Sequence, residues 1–171
     1  ISNEYDLENI DGMERGGRAC VESDFTITRF NRVKEFYGQL DGGGHTVTID
    51  IDGNSGGYLC AGLDAGEAVG GIFAILRGRV SNLNIVVRRF SYGISDTGCS
   101  AGIICGVAIG CSIDSVTVKL EYHSGIDGDQ YLYDAIEHAN LGYPDNCVSL
   151  GGIAGYASGD VSMSDCSVVN D

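Results

Sequence analysis

Chemistry needs clustered polar groups, and few stretches of this chain supply them. Asp50 and Asp52 stand two apart at the end of an alternating run, so in an extended strand both carboxylates project to one side, with Asn54 continuing the set. Three oxygen ligands in that order could hold calcium, yet no glutamate follows at the spacing of an EF-hand loop. The plainer reading of Asp50-Ile51-Asp52-Gly53-Asn54 is a solvated strand end and turn, from the turn chemistry of Asp, Gly and Asn. Asp127 and Asp129 take the same discount. His45, His123 and His138 are far apart in sequence and form no metal-ligating or Ser-His-Asp pattern; His45 is expected in a turn. Arg88-Arg89 is the basic pair near a strand end. It either meets a neighbour's acidic surface or, the preferred reading, forms ion pairs within the chain. Tyr131, Tyr133 and Tyr143 could present an aromatic contact surface, or pin their own loop down. The expectation is a protein that is not an enzyme and holds no cofactor, calcium being the one cation with candidate ligands.

Composition bounds the elements that carry these groups. With 27 Gly, one Pro and no Trp in 171 residues, the chain suits short strands joined by tight turns better than packed helices. A formal net charge of -14 repels phosphates, which disfavours nucleic acid and anionic membranes as partners. No apolar run approaches the roughly 20 residues that span a bilayer, so membrane insertion is not expected. The seven Cys include no C-x-x-C pair, which argues against zinc and against a redox pair. They point to an oxidising, extracellular setting with disulfides and one odd thiol, or alternatively to small inward-facing core residues. The start at Ile1, without an initiator Met, reads as a mature product or an excised piece.

The strongest internal signal is a recurring small-Gly-Ile triplet at Gly70-Gly71-Ile72, Ala101-Gly102-Ile103 and Gly151-Gly152-Ile153. Behind each comes a turn and an alternating apolar run: Val80 to Val87, Ile113 to Val118 and Val161 to Val168. Alternation assigns Leu83, Ile85 and Val87 to one buried strand face, and Val116, Val118 and Leu120 to its counterpart. Phe25-Thr26-Ile27-Thr28 and Thr46-Val47-Thr48-Ile49-Asp50-Ile51 read as two further strands. Their T-x-T pattern suits an ice-binding face, but two rows are too few. The interval to the third triplet is longer than the first, which places a lateral insertion with a short helix at 122–148. At the N-terminus, Ser2 or Asn3 could cap one helical turn whose Leu7 and Ile10 pack over the end of the stack. One repeat cannot bury its apolar face alone, whereas coils laid in register share an interior. The finish directly after a strand leaves the last coil without an evident cap.

Phe36-Tyr37-Gly38-Gln39-Leu40-Asp41-Gly42-Gly43-Gly44-His45-Thr46-Val47 resembles the F-x-G-x-[FL]-D-G-x-G-[HY]-T-[IV] run that precedes GLUG-type repeats of bacterial surface proteins and adhesins. Gly152-Ile153-Ala154-Gly155 with Asp165-Cys166, and Val69-Gly70-Gly71-Ile72-Phe73-Ala74 with Asn82-Leu83, resemble the repeat units themselves. Gly106 restores the trailing Gly after one extra residue, and Ala74 departs from the pattern. The resemblance implies an extracellular or cell-surface stalk or adhesive part, with structural rather than catalytic motif residues.

The combined expectation is an all-β, parallel β-helix-like solenoid with a short N-terminal helical cap and a lateral insertion, forming one domain over 1–171. Within it, 1–35 is cap and first strands, 36–121 the coils, 122–148 the insertion and 149–171 the last coil. Gly71, Ile72, Gly102, Ile103, Gly152 and Ile153 mark the structural repeat. The expected role is a non-enzymatic structural or adhesive module, including a self-assembling filament or surface-layer subunit. Its partners would be further copies, neighbouring domains of a surface protein, or a glycan or host-surface ligand. The alternative is a carbohydrate-binding or carbohydrate-cleaving β-helix protein.

Overall fold

The computed structural model describes residues 1–28, 33–51, 60–62, 68–89, 99–121 and 148–170. Asn3 starts the one helix among them. Its Oδ1 accepts the backbone N–H groups of Tyr5 and Asp6 at 2.9 and 3.1 Å, and α1 follows at Glu4–Glu8 with acidic residues in its first turn. Asn3, not Ser2, is therefore the cap. Leu7 and Ile10 are buried, and the Glu4 carboxylate accepts the Thr28 N–H at 2.9 Å, which ties the helix to the first strands.

The remaining elements are strands. The first two passes of chain give β1 (Arg18–Cys20), β2 (Phe25–Ile27), β3 (Val33–Phe36), β4 (Gln39–Asp41) and β5 (Thr46–Asp50). The third gives β6 (Cys60–Gly62), β7 (Ala68–Gly70), β8 (Phe73–Leu76) and β9 (Arg79–Arg89). The fourth gives β10 (Cys99–Gly102), β11 (Cys105–Ile109) and β12 (Ser112–Leu120). The fifth gives β13 (Val148–Gly151), β14 (Ala154–Ser158), β15 (Ser162–Ser164) and β16 (Ser167–Asn170). Three sheets result. One runs β1-β4-β9-β12-β15, with β5 and β16 also pairing on β9 and β12 and β2 on β5; the others run β13-β10-β7-β6 and β14-β11-β8-β3. The pairs are parallel except β6 with β7. Each of the last three passes thus contributes to every sheet.

Register keeps like with like. Leu40, Val80 and Ile113 share a row, as do Val47, Ile85 and Val118, and all six are buried in one core cluster. Phe36 and Phe73 stack in the same interior with ring centroids 5.0 Å apart. As expected from alternation, Leu83, Ile85, Val87, Val116 and Val118 are buried, whereas Leu120, expected with them, is only partly so.

Two corners explain where alternation fails. Asn82, Ser115 and Asp165 have φ of 53°, 54° and 50°, and they follow the matched residues Ser81, Asp114 and Ser164. A left-handed residue turns the strand and resets its phase, so Val80 and Leu83, three apart, both face the core. The second corner is glycine. Gln39 N–H bonds the Gly17 carbonyl and Arg79 N–H the Gly38 carbonyl, both at 2.9 Å, and Ser112 N–H bonds the Gly78 carbonyl at 3.0 Å. A Cβ on Gly78 would fall directly onto the Gly38 carbonyl oxygen.

The triplet glycines also mark a close approach. A Cβ on Gly71 would lie 2.8 Å from the Gly102 carbonyl oxygen, and one on Gly102 would lie 2.6 Å from the Ile153 carbonyl oxygen. Their alignment needs one correction. Gly70 pairs with Ala101, so Gly71 and Gly102 correspond, but Gly102 pairs with Gly151 rather than Gly152. Ile153 accordingly stands beside Ile104, whose N–H it accepts at 2.9 Å, and not beside Ile103. The extra residue of the Ile103-Ile104 corner absorbs the difference. Ile72, Ile103 and Ile104 are buried, and Ile153 is partly so.

Gly78→Ala is expected to cost more than about 2 kcal/mol in urea unfolding, because backbone must move. Gly12→Ala, at φ 69° with nothing within 4 Å of the new Cβ, is expected to cost only about 1 kcal/mol. Equal losses would show that close approach is not what the corner requires.

Candidate functional site

In a parallel stack every inward side chain is covered by its row neighbours on both sides. The fifth pass breaks this rule. Met163 shares a row with Val80 and Ile113, and Val168 with Ile85 and Val118. Their row partners are at most 1% exposed, whereas Met163 is 44% and Val168 46% exposed. Among the described residues, β13 pairs only with β10, β14 only with β11, and β15 and β16 only with β12, so each keeps one open edge. Tyr156 and Val169 add exposed apolar area to the same pass.

Open edges in native sheets are usually guarded by charge or proline. Residues 148–170 contain no Lys, Arg, Glu or Pro, and their only charged side chains are Asp160 and Asp165. The opposite end is different. There α1 covers the stack, the Ile1 amine donates to the Cys20 carbonyl at 2.7 Å, and Glu22 N–H donates to the Ile1 carbonyl at 2.9 Å. Among the described residues, Leu7 and Ile10 are buried beside the first strands, whereas the fifth pass leaves Met163 and Val168 exposed on strands paired on one side. Such a surface suits strand addition.

The residues singled out from sequence lie elsewhere. The Asp50 carboxylate is bound by the Arg89 guanidinium and is thereby occupied; Asp52 and Asn54 lie outside the described residues. Tyr131, Tyr133, Tyr143, Asp127, Asp129, His123 and His138, with the helix expected in 122–148, also fall outside them. Among the described residues no group of three or more His, Cys, Asp or Glu is placed to hold a metal. Arg88 reaches Glu121 at 3.3 Å and Lys119 reaches the same carboxylate at 3.1 Å, so the basic pair is held within the chain. His45 sits at the turn before β5, with Nδ1 3.1 Å from the Asp24 carboxylate. The same Asp24 oxygen accepts the Thr46 N–H at 2.9 Å.

Cys20, Cys105, Cys111 and Cys166 are free thiols; the side chains of Cys60, Cys99 and Cys147 lie outside the described residues. Cys105 and Cys111 are buried core residues, and burial pushes both thiols up, away from the reactive thiolate. For these two, the core-residue alternative holds. No described helix is long and apolar enough to cross a membrane.

No family model, curated protein or solved structure matches this chain. Its own geometry therefore carries the functional reading. Met163 and Val168 were missed from sequence as a site because each looks like an ordinary core position of its strand; only its row shows a partner on one side alone among the described residues.

The loop next to the glycine corner sets an acid-sensitive contact. The Asp41 carboxylate accepts the Gly43 N–H at 3.0 Å and the Asn82 side-chain amide at 3.1 Å, and these bonds hold it below its ordinary value. A carboxyl lowered by folding stabilises fully above the unfolded value and loses that contribution as pH falls through the lowered one. Asp41→Asn is expected to reduce stability at pH 7 and to flatten the decline between about pH 5 and pH 2, read by chemical denaturation across that range.

Proposed function

We propose that this chain is a non-enzymatic structural module, an extracellular β-solenoid whose uncovered end docks further strands. The observation that carries the reading is the exposure of Met163 and Val168 in rows whose other members are sealed. Closure of the five passes into one parallel coil is supported by the shared interior and by sheet membership that recurs from pass to pass. A surface-protein setting is supported by the resemblance to GLUG-type repeats. The left-handed corners add a physical reason for part of that resemblance: Asn82-Leu83 and Asp165-Cys166 pair a small polar residue able to adopt positive φ with a side chain that turns inward.

Self-association is the form of docking that the unequal ends favour. With α1 covering one end, a copy can offer its own uncovered edge, and a two-fold axis between two such edges pairs their strands antiparallel. Sedimentation velocity from low to high micromolar concentration tests this. The unaltered chain is expected to shift toward a dimer, and the Met163→Lys/Val168→Lys variant to stay monomeric. Two lysines forced out of water raise the dissociation constant at least about 100-fold. Both sites are exposed in the monomer, so circular dichroism should be unchanged. A monomer at all concentrations, or assembly undiminished by the lysines, overturns the proposal.

A further inference from the structure

A second feature lies on the outward side of the long sheet, remote from the exposed row ends. Because Leu40, Val80 and Ile113 point inward, their chain neighbours point out and form two polar rows. One is Arg18, Gln39, Arg79, Ser112 and Ser162; the other is Cys20, Asp41, Ser81, Asp114 and Ser164. Between them runs a groove of about 320 Å³ lined by Arg18, Gln39, Asp41, Arg79, Ser81 and Asn82.

Several described cations are held by carboxylates: Arg77 sits 2.6 Å from Glu35, Arg89 on Asp50, and Arg88 and Lys119 on Glu121, while Arg15 and Lys34 make no ion pair among the described residues. In the groove, Arg18 is exposed and makes no ion pair among the described residues, and Arg79 reaches Asp114 through one nitrogen at 3.5 Å. Asp41 spends one oxygen on both the Gly43 N–H and the Asn82 amide, and the Arg79 charge adds to these in holding its carboxyl low. Two guanidiniums therefore flank the Gln39 amide with donors to spare. At about 4.8 Å per strand their Cα atoms stand roughly 10 Å apart, a span that fixed fork-shaped donors read well.

The other lining groups define what accompanies the anion. The Ser81 hydroxyl, the Gln39 amide and the second Asp41 oxygen offer alternating donors and acceptors, the set that reads neighbouring hydroxyls. No aromatic side chain lines the groove, so it offers no stacking platform for a base or an aromatic ligand. We infer that this groove binds an acidic saccharide, its sugar carboxylate held by Arg18 and Arg79 and its hydroxyls by Gln39, Ser81 and Asp41.

The inference does not depend on the uncovered end, so it is tested on the Met163→Lys/Val168→Lys chain as well as the unaltered one. Trigalacturonate is titrated at low salt by NMR, with neutral galactotriose and acetate as controls. Saturable binding of trigalacturonate is expected in both chains, at least about tenfold tighter than either control. Arg18→Gln is expected to weaken it at least about tenfold, with Arg79→Lys weakening it less because charge is kept while the fork is lost. Arg18 is exposed and unpaired, so this variant should unfold at the same urea concentration as the parent. Acetate binding as tightly, galactotriose binding as tightly, unchanged affinity in Arg18→Gln, or no saturable shift at all would each overturn it.

Discussion

Row-by-row register is the constraint on which everything else in this protein rests. Each inward residue is sealed by the residues above and below it, so Leu40, Val80 and Ile113 stay dry together. The benefit is collective: burial of a full aliphatic side chain is worth roughly 1.5–3 kcal/mol, and a row shares its protection along its length. Length differences between passes therefore cannot be absorbed within a paired strand, where a single slip would turn apolar residues outward. They are absorbed at corners, as between Gly102 and Cys105.

That division decides what could be read from the amino-acid order. Period-two runs such as Leu83, Ile85 and Val87 are a local signal, and they identified both the strands and their buried faces. The Asn3 cap is local too. Corners are not. Gly17, Gly38 and Gly78 matter because each supports the pass above it, and nothing within a few residues of any of them reveals that contact. The same limit produced the one-residue error at Gly152: a repeated triplet looks alignable, but its register is set by the strand before it. Ser115 shows the limit most sharply, since serine is not a usual left-handed residue and only its place between Asn82 and Asp165 accounts for its φ of 54°.

The two ends express the same rule in opposite ways. At one, Leu7 and Ile10 join the buried core cluster beside the first strands, with Asn3 capping the helix that carries Leu7. At the other, Met163 and Val168 are exposed and have a row partner on one side only among the described residues. The exposed area is not an ordinary surface patch. It has the register of a core, since Met163 and Val168 stand in row with the buried Ile113 and Val118.

Outward rows inherit their precision from inward ones. Arg18, Gln39 and Arg79 lie in line because Ala19, Leu40 and Val80 lie in line beneath them. Moving β4 by one residue would put Leu40 between the two arginines and Gln39 into the core, costing the buried side chain and stranding an amide at once. Selection for a packed interior thus holds the polar groups at fixed intervals without any contact among themselves, and Arg18 needs no partner to stay in place at the backbone level. A surface built this way can vary its outward groups freely, one residue at a time, while the aliphatic rows below keep the spacing.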